Sequence, residues 1–120
     1  QKGDLDGSIA DNTMAIKLDP KYAQAFYNRA LARAQKGDIQ GSIEDNTQVI
    51  EIQPANAEAY FNRGAAYWKQ ENYDRTIADF EKASSLNPAY KAQADPVIEQ
   101  AKQFKADKEA AASSAGAGLS

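Results

Sequence analysis

A 34-residue period runs through most of this 120-residue chain and restricts it to a repeating architecture. Pro20, Pro54 and Pro88 are spaced by 34 residues, and the segments that end at these prolines match one another. The matching segments are residues 1–20, 35–54 and 69–88, and between them residues 23–34 match residues 57–68. Self-similarity at this period indicates stacked structural units, each too small to bury its apolar face alone.

Each unit is predicted to contain two helices. The matching segments are rich in Ala, Leu, Gln, Glu, Lys and Arg, and prolines fall only at their ends. Asp4, Asp38 and Asn72 occupy equivalent places before helical patterns and are predicted N-caps, while Gly3 and Gly37 are expected in turns. Apolar residues then recur at helical spacing, namely Leu5, Ile9 and Ile16, then Ile39, Ile43 and Ile50, then Tyr73, Ile77 and Phe80. The predicted fold class is all-α, with about six helices.

The C-terminal part of the chain departs from the period. Asp95 followed by Pro96 is typical of a helix start, and Val97, Ala101 and Phe104 then share one face. We therefore expect a closing helix within residues 91–109. Residues 110–120 are small and are expected to form a flexible tail.

Composition excludes several classes of function. The chain has no Cys and no His, so it lacks the usual ligands of a zinc site and the base of a Ser-His relay. Its formal net charge of -3 argues against nucleic acid as a partner, and no apolar run is long enough to insert into a membrane. Carboxylate clusters such as Glu44 with Asp45 are interpreted as solvated helix faces. We predict no catalytic residues, no metal and no cofactor, and hence not an enzyme.

A helical hairpin repeated every 34 residues resembles the tetratricopeptide repeat (TPR) family. One repeat carries the family's signature positions as Tyr60, Gly64, Tyr67, Thr76, Phe80, Ala83 and Pro88. The preceding repeat has Phe26, Ala30, Arg33, Ser42, Asn46, Val49 and Pro54 at the same places. The resemblance implies a superhelix of hairpins with three parts ahead of the closing helix. These are the second helix of a truncated repeat over residues 1–22, and two repeats over 23–56 and 57–90.

Charged residues recur at matching places of the repeats, and the arginines stand where the family usually has leucine. Arg29 and Arg63 lie on the first helices, and Asp11, Asp45 and Asp79 recur on the second helices. We predict partly buried ion pairs between helices, Arg29 with Asp11 or Asp45, and Arg63 with Asp45 or Asp79. Such pairs are expected to set how hairpins dock more than to add net stability. The alternative is that both kinds of charge face water.

Two asparagines, Asn12 and Asn46, stand where the family has a packed aromatic residue. An amide supplies less apolar burial than a ring and needs hydrogen-bond partners. We expect the two hairpins that carry these asparagines to be packed less tightly than the third.

The first helices carry a second stripe of rings and amides beside the core stripe. If Phe26 and Tyr60 point into the core, Tyr27 and Phe61 must point away from it. The resemblance implies peptide or protein binding on the concave side, where Asn28 and Asn62 match an asparagine that binds a ligand's main chain. The predicted groove residues are Gln24, Tyr27, Asn28, Leu31, Glu58, Phe61, Asn62, Ala65, Trp68 and Lys69.

The expected ligand is a protein or peptide segment with apolar anchors. The chaperone-binding members of the family need Lys and Arg to bind a terminal carboxylate, whereas here Gln24 and Glu58 lie at such places, so we argue against a carboxylate clamp. The alternative for Tyr27 and Trp68 is that they are ordinary packing residues.

Self-association is the alternative function. The half repeat is expected to leave Leu5, Ile9 and Ile16 exposed, and the closing helix, with Val97, Ile98 and Phe104, could cover such a stripe in another copy. The chain would then act as a scaffold that forms a homo-oligomer through its two ends. Both ends also indicate a piece of a longer protein.

Overall fold

Residues 2–119, which the structure describes, form an elongated stack of six α-helices, each packed against the next along the chain. The computed structural model describes the backbone of residues 2–119 and the side chains of residues 3–114. The helices are α1 (Lys2–Leu18), α2 (Ala23–Lys36), α3 (Ile39–Ile52), α4 (Ala57–Lys69), α5 (Tyr73–Leu86) and α6 (Lys91–Leu119), with a 3₁₀ turn at Pro88–Tyr90. The stack measures 58 × 31 × 24 Å. The predicted all-α solenoid of helical hairpins is confirmed.

The turns between helices use short polar caps. Gly37 ends α2 with a φ of 94°, and the Asp38 side chain then accepts a hydrogen bond from the Gly41 N–H at 2.9 Å. Asn72 caps α5 in the same way. The prediction for Asp4 and Gly3 was wrong, because both lie inside α1. Among the described residues no helix ends before Gly3, so nothing there requires a reversal of the chain.

The closing helix begins at residue 91, ahead of the predicted start signal at Asp95 and Pro96, and extends beyond residue 109. The Asn87 side chain caps the 3₁₀ turn, Pro88 occupies its first position, and the turn leads directly into α6 at Lys91. Asp95 and Pro96 are therefore inside α6 and do not start it. The segment predicted as a tail is helical from residue 110 to Leu119, in keeping with the high helix propensity of its alanines. Across the helices that the structure describes, none combines the length and apolar character that crossing a membrane requires.

The core consists of two clusters joined by small residues. Phe26, Val49 and Ala59 form one cluster between α2, α3 and α4, with Ile16 of α1 packed against it. Ile16 is therefore not a free solvent-facing residue, and Leu5 and Ile9 are also half-buried. This corrects the expected exposed stripe, because one face of α1 packs on α2.

The second cluster closes the C-terminal end. Phe80 of α5 packs with Ala94 and Ile98 of α6, and all three side chains are buried. Val97 packs against the same cluster. This face of the closing helix thus packs against α5 of the same chain, so Ile98 is not part of the surface expected to dock on another copy.

A bidentate ion pair joins the two helices of each complete hairpin. In the first, Arg29 Nε and Nη2 donate to the two carboxylate oxygens of Asp45 at 2.9 and 2.8 Å. The third guanidinium nitrogen, Nη1, donates to Thr13 Oγ1 of α1 at 3.0 Å, and Arg33 adds a bond to Asp45 at 2.9 Å. Asp45 is only 2% exposed, so one arginine ties together α1, α2 and α3 around a buried charge.

The hairpin of α4 and α5, which is the third hairpin when the half repeat is counted, repeats this arrangement one period later. Arg63 donates to both oxygens of Asp79 at 2.8 Å and to Thr47 Oγ1 of α3 at 3.2 Å. Each arginine therefore pairs with the aspartate of its own hairpin, which selects one of the two predicted alternatives in each case. Asp11, the remaining aspartate of the series, is exposed. The bond to Asp79 raises the pKa of Arg63 above its usual value, so the guanidinium stays charged at any ordinary pH.

Removing one member of this pair should destabilise the fold strongly. Arg63→Met leaves the Asp79 carboxylate buried without its partner, and we expect the free energy of unfolding to fall by about 3 kcal/mol. Arg63→Met combined with Asp79→Leu should recover most of that loss. Urea unfolding followed by circular dichroism measures both values.

The matched control is Lys102→Met, because Lys102 and Glu99 form a fully exposed pair at 3.8 Å on α6. Its unfolding midpoint should equal that of the parent protein. Equal midpoints for Arg63→Met and the parent would show that the buried pair does not determine hairpin stability.

Candidate functional site

Three adjoining depressions follow the first helices of the hairpins. The N-pocket, between α1 and α2, has a volume of about 250 Å³ and includes Asn12 and Asn28. The central pocket, between α2, α3 and α4, has a volume of about 140 Å³ and includes Asn46 and Asn62. The side pocket, of about 120 Å³, lies between the start of α2 and α4 and includes Tyr27.

These pockets bring together most of the predicted groove residues. The side pocket is lined by Gln24, Tyr27 and Glu58, the N-pocket by Asn28 and Leu31, and the central pocket by Leu31, Asn62, Ala65 and Lys69. Because Leu31 lines both the N-pocket and the central pocket, these two depressions are neighbours along one surface. The surface combines amides with small apolar side chains.

The N-pocket and the central pocket are the same site, one repeat apart. Each residue lining the N-pocket has a counterpart 34 positions later in the central pocket. The N-pocket residues are Leu5, Ser8, Asn12, Asn28, Leu31, Ala32 and Gln35, and their counterparts are Ile39, Ser42, Asn46, Asn62, Ala65, Ala66 and Lys69. The sequence period is therefore also a period of the surface.

Asn46, one of the residues that line the central pocket, has a buried amide oxygen without a hydrogen-bond partner among the described residues. Asn46 is 1% exposed, and its Nδ2 donates to the Ser42 carbonyl at 3.1 Å. Its Oδ1 is buried and accepts no hydrogen bond from a described residue. The sequence predicts Asn12 and Asn46 as packing positions, and neither is among the predicted groove residues. The sequence did carry a signal for these two residues, because an asparagine recurs after 34 residues at a position where the family has an aromatic ring.

The third hairpin shows how such a pocket is filled. Phe80 occupies the place that Asn46 has in the preceding hairpin, and its ring lies against Gly64 so closely that a Cβ there would come within 2.5 Å of it. The preceding hairpin has Ala30 in place of Gly64. A phenylalanine at position 46 would therefore clash with Ala30, and the pair Ala30 and Asn46 leaves the pocket open.

The side pocket is polar and carries negative charge. Burial, together with the neighbouring Glu58 carboxylate, raises the pKa of Tyr27 to about 12, so the phenol stays protonated and can donate a hydrogen bond. Gln24 Nε2 donates to Asn28 Oδ1 at 2.9 Å, which links the side pocket to the N-pocket. Among the described residues, no three His, Cys, Asp or Glu side chains come together in a group that could bind a metal ion.

Two of the predicted groove residues, Phe61 and Trp68, pack against the chain's own C-terminal segment. The Phe61 ring stacks on Phe80 at 4.8 Å and on Tyr90 at 4.9 Å between centroids. The Trp68 ring stacks on Phe104 of α6 at 5.7 Å. Both rings therefore have aromatic partners within the chain that the repeat pattern did not reveal, and their role as ligand anchors stays a prediction.

The TPR family pattern matches residues 57–90, and a second pattern, described as a TPR repeat, matches residues 1–37 and 31–71. The chain belongs to the tetratricopeptide repeat family. No curated protein matches the TPR chain at a significant level.

Solved TPR structures share this fold. The TPR domain of Arabidopsis OM64 is 28% identical with a TM-score of 0.77, and the match covers 85% of this chain and 84% of that domain. The TPR2B domain of yeast Sti1, solved as a complex with pHsp70, is 25% identical with a TM-score of 0.74, covering 86% of each chain. The first TPR of Spaghetti (RPAP3), bound to the HSP90 peptide SRMEEVD, is 23% identical with a TM-score of 0.79, covering 87% of this chain and 82% of that one.

The arrangement of Gly64 with Phe80, in which a ring fills the pocket, can be transferred to the preceding hairpin if positions 30 and 46 are changed together. Asn46→Phe alone should lower the free energy of unfolding by about 1–3 kcal/mol, because its ring meets the Ala30 Cβ. Ala30→Gly with Asn46→Phe copies the Gly64 and Phe80 pair and should be at least 1 kcal/mol more stable than Asn46→Phe.

Chemical denaturation of the two single variants and the double variant measures this coupling as a double-mutant cycle. Additive effects in the cycle would contradict the assigned contact between positions 30 and 46.

Proposed function

We propose that this TPR protein is a non-catalytic interaction module that binds an extended peptide segment of a partner protein along the three pockets. The observation that carries the proposal is the repetition of the N-pocket in the central pocket. A surface that repeats along the stack suits a ligand that is itself an extended chain. Amides such as Asn28 and Asn62 can both donate to and accept from a peptide backbone, and small apolar walls add contact area.

A similar domain with a bound partner supports this proposal. The TPR2B domain of yeast Sti1 has the same fold at 25% identity and was solved as a complex with pHsp70. A stack of this size is therefore sufficient to engage a protein ligand.

The charges of the surface favour a ligand without a terminal carboxylate at the side pocket. Glu58 is exposed there, beside Tyr27, and would repel a carboxylate. The lining of the three pockets includes one cationic residue, Lys69, in the central pocket. This argues against a carboxylate clamp and favours apolar and amide contacts.

The proposal can be tested with a phage-displayed library of random short peptides selected on the whole chain. We expect selected peptides to bind the parent protein in solution, and the double variant Asn28→Ala, Asn62→Ala to bind them about tenfold more weakly, because two hydrogen-bonding amides are lost. Isothermal titration calorimetry measures both affinities. Phe61 and Trp68 are unsuitable for this test, since replacing them would also disturb α6.

The control is the double variant Glu44→Ala, Glu81→Ala, which removes two exposed side chains from second helices and should leave the affinity unchanged. Failure to select any peptide, or an unchanged affinity in the asparagine variant, would contradict peptide binding along this surface.

Self-association is a second candidate, favoured by apolar side chains on the outer face of α1. Met14 is 55% exposed and Leu18 is 81% exposed, and Phe104 of α6 is 38% exposed. Pairing of two copies through these ends would remove the apolar side chains from water.

Sedimentation velocity over a range of protein concentrations tests this second candidate. A dimer is expected to appear in the parent protein as concentration rises and to be absent from the variant Met14→Glu, Leu18→Glu. A parent protein that sediments as a monomer throughout would exclude it.

A further inference from the structure

One residue that lines the central pocket, Asn46, has a hydrogen-bond acceptor, Oδ1, without a partner among the described residues. The walls of this pocket also include Ala30, Ala65 and Ala66. Leaving a buried acceptor unpaired is unfavourable, and buried polar groups in native proteins nearly always have a protein or water partner. The central pocket should therefore favour a ligand group that can form a hydrogen bond with Asn46 Oδ1.

The atom without a partner, Asn46 Oδ1, is an acceptor, so the ligand group that binds it must be a hydrogen-bond donor. A carbonyl oxygen can only accept, so the Asn46 atom that contacts the Ser42 carbonyl at 3.1 Å must be Nδ2. The oxygen is then the end of the amide left without a bond. Asn12 repeats this orientation in the N-pocket, where its Nδ2 donates to the Ser8 carbonyl at 2.8 Å. The two amides are thus oriented alike one repeat apart, with Asn46 buried and Asn12 half-buried.

Charge and size restrict the donor further. The central pocket is lined by Lys69, which disfavours a cation, and none of its lining residues is a carboxylate that would attract one. Its volume of about 140 Å³ exceeds the space of a few waters, at roughly 30 Å³ each, and is sufficient for a short side chain. A hydroxyl is the smallest neutral donor, and unlike an amide it brings no carbonyl oxygen that would need a further donor such as Asn62 or Lys69.

We propose that the central pocket binds a threonine or serine side chain of the peptide, whose hydroxyl donates to Asn46 Oδ1, and that the N-pocket binds a second such side chain through Asn12. The methyl group of a threonine packs against the alanine walls. This specificity rests on the proposed peptide-binding function and adds the class of side chain that the surface selects.

Paired peptides that differ by one hydroxyl test this specificity. Peptides selected on the parent protein are synthesised with threonine and with valine at each position in turn, because valine has nearly the same shape and no donor. We expect about a tenfold preference for threonine at one position for each of the two pockets. In Asn46→Leu, and in Ala30→Gly with Asn46→Phe, one of these preferences should disappear and the other should remain.

Gln48→Leu is the matched control, since Gln48 lies on α3 but lines none of the three pockets, and it should keep both preferences. Peptides that bind without distinguishing threonine from valine, or that prefer asparagine or glutamine, would overturn the hydroxyl specificity while leaving peptide binding intact. A preference that survives in Asn46→Leu would overturn the role of Asn46. Absence of any bound peptide would instead contradict the proposed function itself.

Discussion

The bidentate pair between arginine and aspartate sets the geometry on which the rest of this structure depends. Each guanidinium binds a nearly buried carboxylate on its own hairpin and a threonine on the preceding helix, so three helices meet at one group. Because a planar guanidinium donates its hydrogen bonds in fixed directions, the helices can dock in few other ways. This docking determines which faces of α2 and α4 line the pockets.

One pair of facing positions in each hairpin, 30 with 46 and 64 with 80, determines whether the space between the helices is filled by a ring or left open. Gly64 and Phe80 fill the third hairpin with an aromatic ring, whereas Ala30 and Asn46 leave a cavity with an amide in it. The open hairpin loses apolar burial and retains an unpaired acceptor, both of which reduce stability. A cost of this kind is common at binding surfaces, where the ligand supplies the missing contacts.

The C-terminal helix α6 covers one end of the surface formed by the first helices and leaves the other end, with the pockets, open. Tyr90 and Phe104 of α6 provide rings for Phe61 and Trp68, so the aromatic side chains at that end are packed on one another and partly buried. The open pockets lie further toward the N-terminus and are lined mainly by amides and small side chains. Recognition by this protein, as proposed above, depends on hydrogen bonding and close fit more than on large aromatic anchors.

The sequence alone determined the period, the helical hairpins, the caps at Asp38 and Asn72 and the residue types of the ion pairs, because helix propensity, capping and periodicity act over a few residues. Only the tertiary structure decided which aspartate each arginine binds, that α6 covers Phe61 and Trp68, and that Asn46 leaves an acceptor in a cavity. Those outcomes depend on contacts between side chains distant in sequence, and no local pattern encodes which of several compatible partners is nearest in space.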